Sequence, residues 1–244
     1  MYFNDSTAEK YVLSNNWGGE ISNSKGDYLD VVDTNIDGYK TDLVTKENVS
    51  YTAQIEGSSV IDSVNISRTN NGGNSQYTYY NKPNIDFMRV YVPLGSRLIS
   101  ASGFTAIKPK FSNFDYKGNG FQSDPNIARV ENEMVFNSSE NVYTYTEFGK
   151  TVFAGWVVTN PGSTTDVSLS YSLPSEVFDG KELDLLAQKE PGKTASLNIN
   201  VNAPYGEGVE LLGSGNSGYK SHVSFSGSWD TDKLYKFSVM GYNE

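Results

Sequence analysis

The chain has 244 residues, enough to bury a large hydrophobic core without disulfide bonds, and it contains no cysteine. Its 23 glycines, 17 tyrosines and 12 phenylalanines, together with many Ser, Thr and Asn residues, favour strands over helices and indicate an all-β fold. The formal net charge of −10 argues against nucleic acid as a partner and against membrane contact by this part of the protein, and the lack of cysteine excludes disulfides and thiolate chemistry.

The first predicted element is one short N-terminal helix. Ser6 and Glu9 have the spacing of a capping box ahead of the apolar run 11–13, and two glycines at 18–19 end the helix. No stretch of the sequence approaches the ~18 apolar residues of a membrane span, and the N-terminus lacks the pattern of a signal peptide. If the protein is extracellular, we therefore expect this chain to be an excised piece of a longer one.

Beyond the helix, apolar and polar residues alternate with the period of β-strands. The segment 47–69 predicts an antiparallel hairpin that turns at Glu56-Gly57-Ser58. The dense apolar run 87–92 predicts a central strand, and 98–101 its returning neighbour. The segment 104–130 loses the alternation, which predicts a long loop of functional or mobile character.

Three further hairpins are predicted in the second half of the chain. Many short strands separated by Gly/Pro turns indicate an antiparallel β-sandwich, either immunoglobulin-like or a larger double layer. Residues 46–244 would form this region, as one sandwich or as two units that meet near residue 178. The predicted hairpins pair 152–158 with 167–173, 183–189 with 195–203, and 223–225 with 235–239.

No catalytic constellation emerges from the sequence. The single histidine, His222, is predicted on the polar side of a strand with Ser224 and Ser226, where a surface role is the better interpretation. The 29 acidic residues are scattered and match no hydrolase motif. We therefore predict that the chain is not an enzyme.

One acidic turn resembles the first half of a calcium-binding loop. The segment 33–38, Asp-Thr-Asn-Ile-Asp-Gly, places oxygen atoms at alternate positions, but Val44 stands where the bidentate glutamate would be. The alternative is an Asx-rich turn whose side chains bond to the backbone, and Asp230 and Asp232 beside Trp229 leave the same two alternatives. The predicted calcium ligands are the side chains of Asp33, Asn35 and Asp37 and the carbonyl of Tyr39, with Asp42 as the nearest further donor.

A second candidate site consists of tyrosines. Tyr77, Tyr79 and Tyr80 follow the glycines at 72–73, where a loop or strand end could display rings that stack on sugars. The alternative is that Tyr77 and Tyr79 share one face of a strand and pack in the core or at its rim.

Several stretches together resemble one bacterial envelope family, the domain of unknown function four-zero-one-two. The likeness covers about residues 2–200, and its specificity lies in the combination of motifs. Asp37 departs from the family pattern, which more often has glycine there. The matching stretches are Asn16-Trp17-Gly18-Gly19-Glu20-Ile21, Asp27-Tyr28-Leu29, Asp33-Thr34-Asn35, Lys40-Thr41-Asp42, Arg89-Val90-Tyr91-Val92-Pro93 with Gly95-Ser96, Gly149-Lys150-Thr151-Val152-Phe153, and Leu185-Leu186-Ala187-Gln188-Lys189 with Pro191-Gly192.

The resemblance implies a membrane anchor, then a domain similar to the LytR-CpsA-Psr glycopolymer transferases, then the segment seen here. Residues 1–45 would be a helix-and-strand remnant of that preceding domain, and no functional residue can be transferred. Three hypotheses follow: a structural or adhesive extracellular module at the cell surface, a module that binds glycan or peptidoglycan, and an accessory part of a glycopolymer transferase. The expected partners are cell-wall glycan or other surface proteins.

Overall fold

The computed structural model describes residues 3–15, 17–107, 115, 117–213 and 218–241, and it shows an all-β sandwich of two packed sheets. The predicted fold class is confirmed. One sheet has eight strands in the order β12-β14-β10-β1-β4-β8-β7-β6, and the other has six in the order β13-β11-β2-β3-β9-β5. The strands are β1 Asp27–Val32, β2 Thr45–Glu56, β3 Ser59–Asn70, β4 Asn84–Pro93, β5 Arg97–Ser102, β6 Val135–Asn137, β7 Val142–Glu147, β8 Lys150–Thr159, β9 Thr164–Ser172, β10 Glu182–Ala187, β11 Ala195–Asn202, β12 Glu207–Leu211, β13 His222–Trp229 and β14 Lys233–Gly241.

Two helices accompany the sheets. The N-terminal helix α1, Ser6–Ser14, is present, but its N-cap is Asp5, whose carboxylate accepts the backbone N–H groups of the first turn. The predicted 104–130 loop contains the start of a second helix, α2, Pro125–Glu133, which is capped by Asp124. Proline at the first helical position after an aspartate cap is a helix start, and the surrounding polar composition hid this signal. Residues 108–114 and 116 of the predicted loop lie outside the described residues.

The hairpin β2–β3 forms as predicted, with all twelve residues of each strand in register. The other predicted hairpins are wrong in their pairing. The strand β5 does not return beside β4 but pairs with β9 in the six-stranded sheet. In each of the other three predicted hairpins, β8–β9, β10–β11 and β13–β14, the two strands belong to different sheets. A Gly/Pro turn between two alternating segments can form a hairpin within one sheet or an arch that crosses to the other sheet. The local pattern therefore does not identify the partner strand.

Each sheet also contains one parallel pair, which makes both sheets mixed. The strand β1 pairs in parallel with β10 and antiparallel with β4, and β11 pairs in parallel with β2. The strand of the 1–45 segment is therefore hydrogen-bonded into the middle of the eight-stranded sheet. That residues 1–45 are a helix-and-strand remnant of a preceding domain stays a prediction.

The main core lies between the sheets and is continuous across residue 178. It extends from Leu29 of β1 to Val239 of β14. A smaller cluster around Tyr28, Tyr91 and Tyr145 covers the outer face of the larger sheet, where partly buried residues of α2 pack against it. In the described part of the chain, no helix has the length and apolar character needed to cross a bilayer.

Candidate functional site

Both sequence-predicted sites lie at one end of the sandwich, which we call the loop end. It is formed by the loops 33–44, 71–83, 160–163, 188–194 and 230–232, because β1, β3, β8, β10 and β13 finish there and β2, β4, β9, β11 and β14 begin there. Loops at the ends of a sandwich can vary without disturbing the sheets, which is why recognition commonly resides in them.

The three predicted tyrosines form one aromatic cluster. Tyr77 and Tyr79 stack with ring centroids 5.5 Å apart and planes 21° apart, and Tyr80 lies edge-on 4.5 Å from Tyr79. Tyr77 is 50% exposed and Tyr79 38% exposed. Thr78–Tyr80 is a single 3₁₀ turn, so the alternative in which Tyr77 and Tyr79 share a strand face is wrong.

Hydrogen bonds to two asparagines fix the loop that carries the tyrosines. Asn81 accepts the backbone N–H groups of Gly73 and Ser75, each at 2.9 Å, and donates to the carbonyl of Ser75 at 2.6 Å. Asn70 donates to the carbonyl of Lys82 at 3.0 Å. The loop also needs glycine at position 72, where a Cβ atom would lie 1.9 Å from the carbonyl oxygen of Tyr80. The tyrosine cluster therefore sits on an ordered support.

The predicted calcium ligands are used for other contacts. The side-chain nitrogen of Asn35 donates to the carbonyl of Tyr39 at 3.0 Å, and its oxygen accepts the N–H of Asp37 at 3.2 Å. The carboxylate of Asp33 turns inward and bonds to Arg68 and Lys193. Among the described residues, no three His, Asp or Glu side chains are grouped to hold a metal. These contacts favour the Asx-rich turn, and the calcium site stays a prediction.

The turn and the tyrosine loop are joined to each other. Lys82 places its ammonium group 5.6 Å from the centre of the Tyr39 ring. Below them, Asn84 donates to the hydroxyl of Thr41 at 3.0 Å and to the carboxylate of Asp42 at 2.7 Å. Tyr39 and the tyrosine cluster thus lie on two adjoining loops that form one surface of the loop end.

A buried ionic cluster lies directly beneath this surface. Arg68, only 2% exposed, pairs with Asp33 and with Glu47, the latter at 2.9 Å, and its Nη1 lies 3.7 Å from Asp86. Its Nη2 donates to Asn84 at 3.0 Å. The cluster links β3 to its neighbour β2 in the six-stranded sheet and to β4 in the eight-stranded sheet.

Lys193 extends this cluster from the 188–194 loop. Its ammonium group contacts Asp33 and lies 2.6 Å from Oε1 of Glu47 and 3.9 Å from Glu190. The carboxyl groups of Asp33 and Glu47 thus face the same ammonium group.

The carboxyl groups of Glu47 and Asp33 have pKa shifts in opposite directions. Burial raises the pKa of Glu47 to about 7, against the opposing charge of Lys193. Burial would also raise the pKa of Asp33, but the charges of Lys193 and Arg68 lower it below its usual value. Burial raises the pKa of Asp86 well above its usual value, helped by the negative charge of Asp33. The cluster therefore keeps Asp33 ionised and leaves Glu47 able to hold or release a proton near neutral pH.

A second buried carboxyl pair lies deeper in the core. The hydroxyl oxygen of Tyr51 lies in hydrogen-bonding contact with the carboxyl groups of both Asp27 and Asp62, 3.0 Å from the latter. One hydroxyl proton cannot serve two carboxylates, so one of the pair is protonated. Burial raises the pKa of Asp27 to about 6 and raises that of Asp62 well above its usual value.

The sequence contains a signal for both buried clusters that does not take the form of a motif. The charged residues that lie on strands stand in phase with the apolar face of their strand, Arg68 with Val64 and Ile66, and Glu47 with Val49 and Tyr51. Asp33 and Lys193 lie in loops, where this signal does not apply. A charged residue on the buried phase of a strand must find a partner, because an isolated buried charge is too costly.

The remaining candidates from the sequence are His222 and the aspartates at positions 230 and 232. His222 is exposed on β13, as are Ser224 and Ser226, in agreement with the surface interpretation. It borders an open cleft of about 680 Å³ between β12, β13 and β14. Asp232 accepts the backbone N–H of Lys189 at 3.0 Å, and Asp230 lies 3.5 Å from Lys233.

No family model and no curated protein matches the chain. Among solved structures, an M1 zinc metallopeptidase from Deinococcus radiodurans is similar at 11% identity over 80% of this chain, with a TM-score of 0.35. The match covers 41% of the metallopeptidase chain, so this chain spans less than half of its length. A nutrient-binding protein from Legionella pneumophila matches at 10% identity over 87% of this chain and 71% of its own, with a TM-score of 0.40. Likenesses this weak carry no statement about activity.

Proposed function

We propose that the chain is a non-catalytic extracellular module of the bacterial cell envelope, structural or adhesive, which meets its partner through the loop end. The observation that carries the proposal is the exposed cluster of Tyr77, Tyr79 and Tyr80 on a loop fixed by Asn70 and Asn81. Exposed aromatic rings on a rigid support are the usual anchors of protein recognition, since little side-chain entropy is lost when they bind.

The composition supports an extracellular location. The chain has no cysteine and is strongly acidic, with Ser, Thr and Asn on its outer faces, as is common in bacterial surface proteins. The resemblance to the envelope family points in the same direction. We also propose that the parent protein is anchored in the membrane and that this module itself makes no membrane contact.

The non-catalytic part of the proposal is tested with envelope glycans. Purified chain is incubated with peptidoglycan and wall glycopolymers, and the products are analysed by mass spectrometry. We expect the substrates to be recovered unchanged. Cleavage or transfer of any glycan, abolished by a substitution at the loop end, would overturn this part and favour the accessory-transferase hypothesis.

A second candidate function is glycan or peptidoglycan binding by the same tyrosines. The near-parallel stacking of Tyr77 and Tyr79 favours it, because sugars bind to aromatic faces through their apolar sides. A glycan array tests it with the wild type, Tyr79→Ala and the control Tyr205→Ala. Tyr205 is fully exposed at the opposite end of the sandwich, after β11. Binding lost only in Tyr79→Ala supports the candidate, whereas no binding or equal binding by all three removes it.

A further inference from the structure

We propose that Lys193 and Asp33 condense to an intramolecular amide bond, with Glu47 as the proton carrier and Arg68 as the stabiliser of the oxyanion. The bond would join the end of β1 to the loop that precedes β11, and so tie the two sheets together at the loop end. The proposal is independent of the proposed binding function, which its failure would leave untouched.

The geometry brings the reacting groups together. The Nζ atom of Lys193 is in direct contact with the carboxylate of Asp33, although the two residues are 160 positions apart in the chain. The same Nζ lies 2.6 Å from Glu47, whose other oxygen lies 2.9 Å from Arg68. The amine, the carboxylate oxygen of Asp33 and the proton carrier thus lie in contact without any movement of the backbone, and such proximity is the main requirement for an uncatalysed condensation to become fast.

The reaction balances without an external reagent. The carboxylates of Glu47 and Asp33 outweigh burial and raise the pKa of Lys193, while the pKa of Asp33 is lowered, so both groups are charged in the resting cluster. The reaction begins from the minor form in which one proton has passed from the Lys193 ammonium through Glu47 to the Asp33 carboxylate, which gives a neutral amine and a neutral acid. The Nζ lone pair then attacks Cγ of Asp33, and the carbonyl electron pair moves to the oxygen beside Arg68. A second proton passes from Nζ through Glu47 to the hydroxyl oxygen, the C–O bond breaks, the carbonyl re-forms, and water leaves.

Each neighbouring group fits its role. Burial raises the pKa of Glu47 to about 7, so this carboxyl can both accept and donate a proton near neutral pH. The guanidinium of Arg68 contacts the oxygen of Asp33 on which negative charge develops. The side chains of Glu47, Asp33 and Lys193 are 3%, 11% and 19% exposed, so the reacting groups are largely shielded from water.

Condensation also removes two charges from a buried site. The unreacted cluster holds Lys193 and Asp33 as ions in the interior, where the loss of hydration offsets much of their attraction. The amide product has no net charge, and Arg68 keeps Glu47 and Asp86 as partners. In a chain without cysteine, this bond would supply the covalent cross-link that disulfides supply elsewhere.

Mass spectrometry of the whole, denatured chain tests the proposal. We expect a mass lower by one water molecule than the sequence requires. Because trypsin cannot cleave after an acylated lysine, digestion should yield the peptide 26–40 joined to the peptide 190–220. A full sequence mass, with cleavage after Lys193 and a linear peptide 26–40, would overturn the proposal. Succinimide formation at the Asp-Gly pairs 37–38 or 179–180 also removes one water molecule from the mass. A water loss located at either pair, with Lys193 unmodified, would therefore also overturn the proposal.

Two variants test the assigned roles. Glu47→Gln should retain the full sequence mass, because the proton carrier is lost, and a linked Glu47→Gln chain would contradict the role of Glu47. Lys189→Arg is the matched control, since Lys189 lies near the cluster and bonds to the carbonyl of Glu190. This variant should be linked as fully as the wild type. If Glu47→Gln fails to fold, the linked or unlinked state of the wild type still decides whether the bond exists.

Discussion

At the scale of single residues, the unusual feature of this chain is the burial of charge. Arg68 satisfies acidic residues of three different strands or loops, Asp33, Glu47 and Asp86. Removing the cation would leave these carboxyl groups in the interior with only Lys193 to balance them. Such a loss costs far more than the loss of a surface ion pair, because the remaining charges cannot be hydrated.

The change Arg68→Met keeps much of the side-chain volume and removes the charge. We expect it to lower the free energy of unfolding by about 3 to 5 kcal/mol. The control is Arg129→Met, which breaks an exposed pair with Glu133 on α2 and should cost less than about 0.5 kcal/mol. Urea unfolding measures both. Equal effects of the two substitutions would mean that the buried cluster does not stabilise the fold.

The carboxyl pair Asp27 and Asp62 predicts a pH dependence. The folded-state pKa of Asp27 is raised from 3.8 to about 6, so the folded chain binds more protons than the unfolded chain between these pH values. This contribution to stability is complete below pH 3.8 and is lost as the pH rises to about 6 and beyond.

The variant Asp62→Asn tests this dependence. Asp30 and Glu47, whose pKa values burial raises to about 7, titrate in the same direction, so the informative quantity is the difference between the variant and the wild type. Urea unfolding at several pH values should give a shallower loss of stability in the variant from about pH 4 to pH 7. Identical slopes would show that the pair is not protonated in the folded chain.

At the scale of elements, the sequence predicts strands well and their partners poorly. The alternation in β2 and β3 and the turn at Gly57 specify a hairpin, and the hairpin forms. The equally clear alternation in β8 and β9 belongs to two different sheets. Local periodicity reports which face is buried, whereas the choice between hairpin and arch depends on contacts with distant strands.

The candidate site shows the same division. The residues Tyr77, Tyr79 and Asp33 could be chosen from the sequence because they are chemically distinctive. Their assembly at one end could not be predicted, because it depends on β1 inserting between β4 and β10 and on the order of strands in both sheets. The inward turn of Asp33 toward Arg68 depends on the same topology.

The loop 71–83 should depend on glycine at position 72. A methyl group there would lie 1.9 Å from the carbonyl oxygen of Tyr80, so the backbone must shift. We expect Gly72→Ala to cost about 1 to 3 kcal/mol and to speed amide hydrogen exchange across 71–83. The control Gly241→Ala meets no atom within 4 Å and should change little. Unchanged exchange in Gly72→Ala would mean that the tyrosine support is not packed as described.

At the scale of the whole molecule, the two sheets share one continuous core, with the ionic cluster of Arg68 and Lys193 at the loop end and the Asp27–Asp62 pair farther from it. The ionic cluster fixes the loop end from below, and the tyrosine loop forms its surface. The opposite end contains the short turn at 57–58 and the exposed Tyr205. This difference between the ends makes the loop end the surface expected to bind.

The most direct test of this account is co-sedimentation of the purified chain with isolated bacterial cell envelopes. We predict that the wild type and Tyr205→Ala bind equally, and that Tyr79→Ala with Tyr80→Ala weakens binding by about 2 kcal/mol, or roughly 30-fold in Kd. Protease treatment of the envelopes then separates a protein partner, whose loss abolishes binding, from a glycan partner. Failure to bind any envelope preparation, or binding that the tyrosine substitutions leave unchanged, would contradict the assignment of the loop end as the binding surface.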